Sequence, residues 1–315
     1  MKPRFHLSHR ANETTYSTLN KLSLAKTNPM RIHNVILFIG TILIVTSCSG
    51  EQNKNKKSVS SNTEKETKLD SVTEPQFKSG LVLRFRDYHR EYCFAASEED
   101  PNEFCSEMDV HILSVELKDK AVADRINELI VKGVTNNTLR GRSLSQWVSE
   151  GIERDDKEMA FQQSIRCDVT EKSRDIFVVV IGKYEYYYGA AHGGGTTETY
   201  NFDLHTGKVL GLSNILKPGY GKELKRIAEV HFIEENGNEG WDFTPGKGDF
   251  ALAHNISFTR KGMVFVYDAY EIGPYAAGSP SFCIPWKELK KLLIEGSLIQ
   301  DFIDHPSKEV EELGC

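Results

Sequence analysis

The residues whose types could do chemistry fall in two stretches. His192-Gly-Gly-Gly195 spells the glycine-rich loop that lines the oxyanion hole of some lipases and esterases, where backbone N–H groups meet a developing negative charge. Ester hydrolysis by that route also needs a Gly-x-Ser-x-Gly elbow to present the nucleophile. The chain has none, because Gly141-Arg-Ser-Leu-Ser145 and Gly211-Leu-Ser-Asn-Ile215 both fail at the last glycine. The preferred expectation is a tight turn after a strand, with His192 bonded to loop backbone. The second stretch holds Tyr267, Asp268, Tyr270, Glu271 and Tyr275. A glutamate beside a histidine can act as general acid or base, but nothing in the spacing brings Glu271 to His192. Glu271 is expected to accept from loop N–H groups between Gly273 and Gly278.

Tyr184, Tyr186 and Tyr188 alternate along a strand and so share one face. Exposed, they would form an aromatic platform for sugar rings or a protein partner. Buried, they would pack under helices, and burial is the preferred expectation. His192, Asp203, His205 and His254 offer ligating atoms, but no pair has a diagnostic metal spacing. No Cys/His spacing fits a zinc site. No catalytic residue, metal or cofactor is assigned.

The elements that must position these residues are short and clustered. Leu81–Arg86 reads as a strand, and Val110–Leu117 alternates with Leu113, Val115 and Leu117 on one face. Asp119 can N-cap a helix carrying Val122, Ile126, Leu129 and Ile130, stopped at Gly133, and Ser143 can start a second with Leu144, Trp147, Val148 and Ile152 on one stripe. Ile165–Val169 and Asp175–Tyr188 form a hairpin across Glu171–Asp175, and Thr196–Leu204 is the next strand. A helix from about Lys222 spaces Leu224, Ala228 and Phe232 by four and ends at Asn236-Gly237. Asn255–Phe258 and Met263–Tyr267 form a second hairpin, Ser281–Ile284 is a short strand, and Pro285 opens a last helix over Trp286–Ile294. Hairpins without regular strand–helix–strand alternation predict α+β, a mainly antiparallel sheet with packed helices, in two closely associated subdomains.

Upstream, Val35–Val45 is an apolar run of eleven residues, too short for a comfortable membrane span and of signal-peptide length. Val45-Thr-Ser-Cys48 resembles a bacterial lipobox, which predicts lipidation at Cys48 and an exported, membrane-anchored chain in the cell envelope, on the outer membrane or the periplasmic side where there are two membranes. Met30 opens a complete signal peptide, so residues 1–29 are expected to be an over-extended N-terminus, 30–48 the signal peptide, 49–80 a flexible polar tether and 296–315 a C-terminal tail. Residues 1–47 carry six Lys/Arg and one acid, and subtracting +5 from the net charge of -6 leaves -11 for residues 48–315. That balance argues against nucleic-acid binding and suits a basic partner, although a solvated acidic face is the plainer reading. Export permits disulfides. Cys93 and Cys105 flank a polar loop and are the easiest pair to close, whereas Cys167 and Cys283 could pair or simply be buried.

Tyr188-Gly-Ala-Ala-His-Gly193, Asn201–Lys208, Phe250–Phe258, Tyr270-Glu-Ile-Gly-Pro-Tyr-Ala-Ala-Gly278 and Ile284-Pro-Trp-Lys-Glu-Leu289 together resemble one bacterial family. It is the uncharacterised domain at the C-terminus of the RsiV anti-sigma factors and the PdaC peptidoglycan deacetylases. The upstream part resembles the PdaC-like companion domain. The resemblance divides the folded part into a PdaC-like subdomain, 81–195, and an RsiV-like subdomain, 196–295. It implies an exported module that binds something in the envelope, with lysozyme or peptidoglycan as named ligands. Neither a deacetylase domain nor a sigma-factor-binding segment is read here. The candidate ligand-binding residues are His192, Tyr270, Glu271, Tyr275, Tyr186 and Tyr188. The alternative is an envelope hydrolase using His192 and Glu271.

Overall fold

A computed structural model of the chain describes residues 60–67, 80–95, 103–152 and 159–304. Six strands form one sheet in sequence order: β1 (Ser60–Thr67), β2 (Val82–Ala95), β3 (Glu103–Glu116), β4 (Phe161–Lys172), β5 (Ile176–Tyr187) and β6 (Gly194–Asp203). Every neighbouring pair is antiparallel except β3 and β4, which are parallel. Parallel neighbours cannot be joined by a tight turn, and the crossover holds α1 (Lys120–Val134) and α2 (Leu144–Ile152). The Asp119 carboxylate starts α1 by accepting from the N–H groups of Ala121 and Val122 at 3.0 and 3.2 Å. Ile126 and Ile130 then pack with Met108, Val110, Phe177, Val179 and Ile181 in one core.

A second, three-stranded antiparallel sheet contains β7 (Asn255–Phe258), β8 (Gly262–Val266) and β9 (Ser281–Pro285). Helix α4 (Gly221–Asn236) packs against it through Leu224, Ala228 and Phe232, whose spacing by four puts them on one stripe. The ring of Phe232 sits among those of Trp241, Phe243, Phe250, Tyr267 and Phe282, with centroids 4.9–5.9 Å away. The fold class is α+β, as the hairpin pattern predicts.

Strand β5 joins the two cores. Ile176 and Val178 point into the core of the three-stranded sheet, while Phe177, Val179 and Ile181 point into the α1 core. A strand buried on both faces reads as a continuous apolar run, and Ile176-Phe-Val-Val-Val-Ile181 is one. The second connection is a side chain. Buried Asn201 on β6 accepts from the N–H of Phe258 and donates through Nδ2 to the carbonyl of Ile256, both at 2.7 Å. Its amide thus stands in for a neighbouring strand along β7. The edge of β9 is treated the same way: Glu235 accepts from the Cys283 N–H at 3.1 Å and Asn236 donates to the Ser281 carbonyl at 3.0 Å.

Several boundaries differ from the expectation. Ser60–Thr67, expected within the polar tether, pairs residue by residue with Phe85–Tyr92 at the edge of the sheet. An edge ladder needs only backbone groups, so a segment without apolar residues can enter it. Strands β2 and β3 are far longer than Leu81–Arg86 and Val110–Leu117, because one of their faces is polar and its charges pair across strands, as His89 does with Asp109 and His111 with Asp87. The subdomain boundary expected at 195/196 falls inside β6, which pairs with β5 from Gly194 to Asp203. The helix expected over Trp286–Ile294 stops as α5 (Trp286–Leu289), since Leu292 and Ile294 give their backbone groups to Lys217 and Ile215, beyond and at the end of α3 (Leu212–Ile215). Part of the expected C-terminal tail belongs to the core: Ile299 is buried, and Phe302 of α6 (Gln300–Asp304) stacks on Trp286 at 6.4 Å.

Asn201→Ala would leave the buried N–H of Phe258 and the half-buried carbonyl of Ile256 without this partner. Urea unfolding should show a loss of about 3 kcal/mol, and a loss near zero would mean that β5 alone holds the two layers.

Candidate functional site

One face of β5 is covered only along its first half. Ile176 and Val178 lie under the second sheet's core, and Val180 is half-buried. Beyond them Tyr184 and Tyr188 are 46% and 40% exposed, and Tyr186 is half-buried. The expected burial of these tyrosines is therefore corrected: the layer that would cover them ends before it reaches them. Gln162 on β4 donates to the Tyr188 hydroxyl at 3.0 Å, and the Tyr186 and Tyr188 rings meet edge to face at 5.7 Å. Glu107 lies close enough for its charge to act on Tyr188, whose phenol is raised by partial burial and by that charge.

The loop after β5 carries His192 to the edge of this face. The Tyr275 ring stacks on the His192 imidazole at 3.8 Å and 20°, and Tyr270 lies 5.4 Å from Tyr275. The Tyr275 hydroxyl donates to the Gly193 carbonyl at 3.0 Å, and His192 Nδ1 lies 3.0 Å from the same oxygen. Tyr270 Oη is 3.3 Å from His192 Nε2. The glycines serve clearance and pairing. A Cβ on Gly193 would clash with the Tyr184 hydroxyl, and Gly194 and Gly195 are in register with Glu185 and Tyr184 in the β5–β6 ladder. His192 is thus bonded to loop backbone, and Gly193 offers its carbonyl to the site.

Glu271 belongs to a different network. One carboxylate oxygen accepts from the His254 N–H at 2.9 Å and lies 2.7 Å from His254 Nδ1, while the other accepts from the Asp268 N–H at 2.9 Å. It is an acceptor of loop amides, as expected of its chemistry, but those amides belong to His254 and Asp268 rather than to 273–278. Asp268 accepts from both the hydroxyl and the N–H of Thr197 on β6; burial still raises its carboxyl above the usual carboxylate range. Held at both ends in this way, the turn places Tyr270 at φ +70° with 61% of its surface exposed. A bulky residue in the left-handed region costs about 1–3 kcal/mol and persists where surrounding contacts over-determine it. Thr197 and Gln162 are not among the sequence candidates, and His254 is one only as a possible metal ligand; they are polar residues whose partners lie far off in sequence.

The remaining expectations fall elsewhere. Cys93 and Cys105 face each other across the β2–β3 hairpin and are joined as a disulfide with Cα atoms 4.0 Å apart. Cys167 does not pair with Cys283: it is a free, buried thiol pushed up to about 11 by burial, and Cys283 is itself disulfide-bonded. Glu91, Cys93 and Cys105 are the only group of potential metal ligands close together among the described residues, and both sulfurs are spent in the disulfide. Cys48 and the lipobox lie outside the described residues. Among the described residues no helix is long and apolar enough to cross a membrane.

An α+β molecule with a two-layer core and an open aromatic face is what the geometry defines. Residues 212–287 match the family described as protein of unknown function, DUF3298. Two solved structures share the fold. A DUF3298 family member from Bacteroides fragilis is 20% identical with a TM-score of 0.61, covering 72% of this chain and all of that one. A DUF3298 family protein from Pseudomonas aeruginosa is 17% identical with a TM-score of 0.50, covering 76% of this chain and 96% of its own. No curated protein matches the chain.

Two outcomes follow from this geometry. Tyr270→Gly relieves the backbone while deleting an exposed ring, so it should raise stability by about 1 kcal/mol in denaturant unfolding; a loss would show that the ring contacts outweigh the strain. The raised Asp268 carboxyl binds its proton more tightly in the folded state than in the unfolded state. Stability therefore falls as pH rises from the ordinary carboxyl value through the raised one. Asp268→Asn should gain stability relative to the parent at pH 7, and thermal unfolding should show that gain shrinking as the pH is lowered through the same range.

Proposed function

We propose that this chain is a lipid-anchored binding module of the cell envelope, and that its tyrosine face recognises a glycan, peptidoglycan being the ligand nearest to hand. The observation that carries the reading is the cluster of rings at this face, Tyr184, Tyr188 and Tyr270 exposed and Tyr186 and Tyr275 half-buried between them, around His192. Tyrosine offers a flat apolar face for a sugar ring and a hydroxyl at its rim. Holding an exposed tyrosine at positive φ is costly for a residue with no task. The lipobox-like Val45-Thr-Ser-Cys48 supports the anchor, and the similarity to RsiV- and PdaC-type domains supports the envelope setting.

The charge of -11 on residues 48–315 favours a second reading, a basic protein such as lysozyme docking on the same face. Hydrolysis by His192 and Glu271 finds less support. His192 is engaged with Gly193, Tyr270 and Tyr275, whereas Glu271 is engaged with His254 and Asp268.

Calorimetry with peptidoglycan fragments and with lysozyme, each at low salt and at about 0.5 M salt, separates the readings. Fragment binding should survive salt, and Tyr188→Ala and Tyr270→Ala should each weaken it about tenfold. Salt-resistant lysozyme binding without fragment binding would replace the glycan with the protein. Failure of both ligands, or indifference of both variants, would remove the tyrosine face as the site.

A further inference from the structure

A cleft of about 660 Å³ lies away from the tyrosine face, lined by Leu117, Lys118, Asp119, Arg174, Asp175, Leu204, His205 and Leu298. Its size is ordinary for a small-molecule site. Its walls are well fixed. Asp119 spends its carboxylate on the first N–H groups of α1. The turn after β6 is seated against α1: Gly207 takes φ +68°, a Cβ there would come 2.9 Å from the Val122 carbonyl, and Arg125 donates to the Thr206 carbonyl. Asp203 accepts from the His205 N–H at 2.8 Å and from the Thr206 hydroxyl at 2.6 Å, which fixes the position of the histidine.

The charges of this cleft differ from those of the rest of the molecule. Asp175 has only 9% of its side chain exposed; it receives Arg174 through Nε and Nη2 at 2.7–3.1 Å and His205 Nε2 at 2.8 Å. Burial would raise its carboxyl, yet the hydrogen bonds from Arg174 and His205 hold it below the usual carboxylate range, so it stays ionised and fully occupied. The nitrogen-bearing side chains are not used up. Lys118 makes no hydrogen bond or ion pair among the described residues, Arg174 keeps Nη1 unspent, and His205 keeps Nδ1 unspent with 60% of its side chain exposed. Asp175 is fully committed, Asp119 bonds through Oδ1 alone, and Asp301 acts on Arg174 by its charge; three nitrogen-bearing side chains keep capacity beside them, in a chain that is acidic overall. Leu117, Leu204 and Leu298 supply apolar wall beside them.

We infer that this cleft is a second binding site, which takes a small oxyanion, carboxylate or phosphate, joined to a short apolar body. Lys118 and Arg174 meet the oxyanion, His205 oriented by Asp175 adds a third contact through Nδ1 when its ring is protonated, and the leucines cover the apolar part. The inference is independent of the glycan reading, since the two sites share no residue.

The test is titration of the full chain with sodium octanoate, octyl phosphate and uncharged octanol, followed by amide shifts in NMR spectra and by calorimetry. Octanoate or octyl phosphate should shift the amides of Lys118, Asp119, Arg174 and His205, and the preferred one of the two identifies the oxyanion. Lys118→Gln and His205→Gln should each weaken that binding about fivefold or more. Lys118 is exposed and makes no hydrogen bond among the described residues, so unchanged thermal unfolding should accompany the loss in Lys118→Gln. Octanol binding as tightly as the anions, shifts confined to other parts of the protein, or full affinity in Lys118→Gln would each overturn the assignment.

Discussion

Between Ile176 and Ile181 the fifth strand buries side chains on both of its faces, and the rest of the fold depends on that double burial. Phe177, Val179 and Ile181 hold α1 against the six-stranded sheet, while Ile176 and Val178 seat the three-stranded sheet and α4 on the opposite side. Each fully buried side chain of this kind contributes about 1.5–3 kcal/mol. Five such side chains leave neither layer able to detach without exposing the other's floor. Asn201, one strand over, adds direction to this apolar contact. Its amide fixes which residues of β7 lie opposite β6, something hydrophobic burial cannot specify by itself.

The candidate face is a consequence of the same strand. Side chains alternate, so the face that is apolar at Ile176 and Val178 continues into Tyr184, Tyr186 and Tyr188 once the covering layer has ended. The loop from Asp268 to Tyr275 reaches back over the end of that face, tied to β6 by Asp268 and Thr197 and to the start of β7 by Glu271 and His254. Rigid elements therefore set the position of rings that stay open to solvent, and the strain at Tyr270 is sustained by those ties.

Much of the local structure was legible in the sequence. Asp119 as a cap and the spacing of Leu224, Ala228 and Phe232 are short-range signals, and each operates as its chemistry suggests. The charged outer face of β2 and β3 hid their length, because His89 pairs with Asp109 and His111 with Asp87 across the hairpin. The early end of α5 was equally hidden, since it depends on backbone bonds to Ile215 and Lys217, some seventy positions away. His192, Tyr270 and Tyr275 were visible as residue types, but their stacking depends on the packing of two sheets. Glu271 was readable as an acceptor, and its pairing with His254 was not.

The most direct measurement is hydrogen–deuterium exchange of the protein with and without soluble peptidoglycan fragments. If the tyrosine face is the glycan site, protection should appear over residues 184–195 and 268–278 and leave the β2–β3 hairpin unchanged. Protection confined to other segments, or none at saturating fragment, would contradict the assignment of that face.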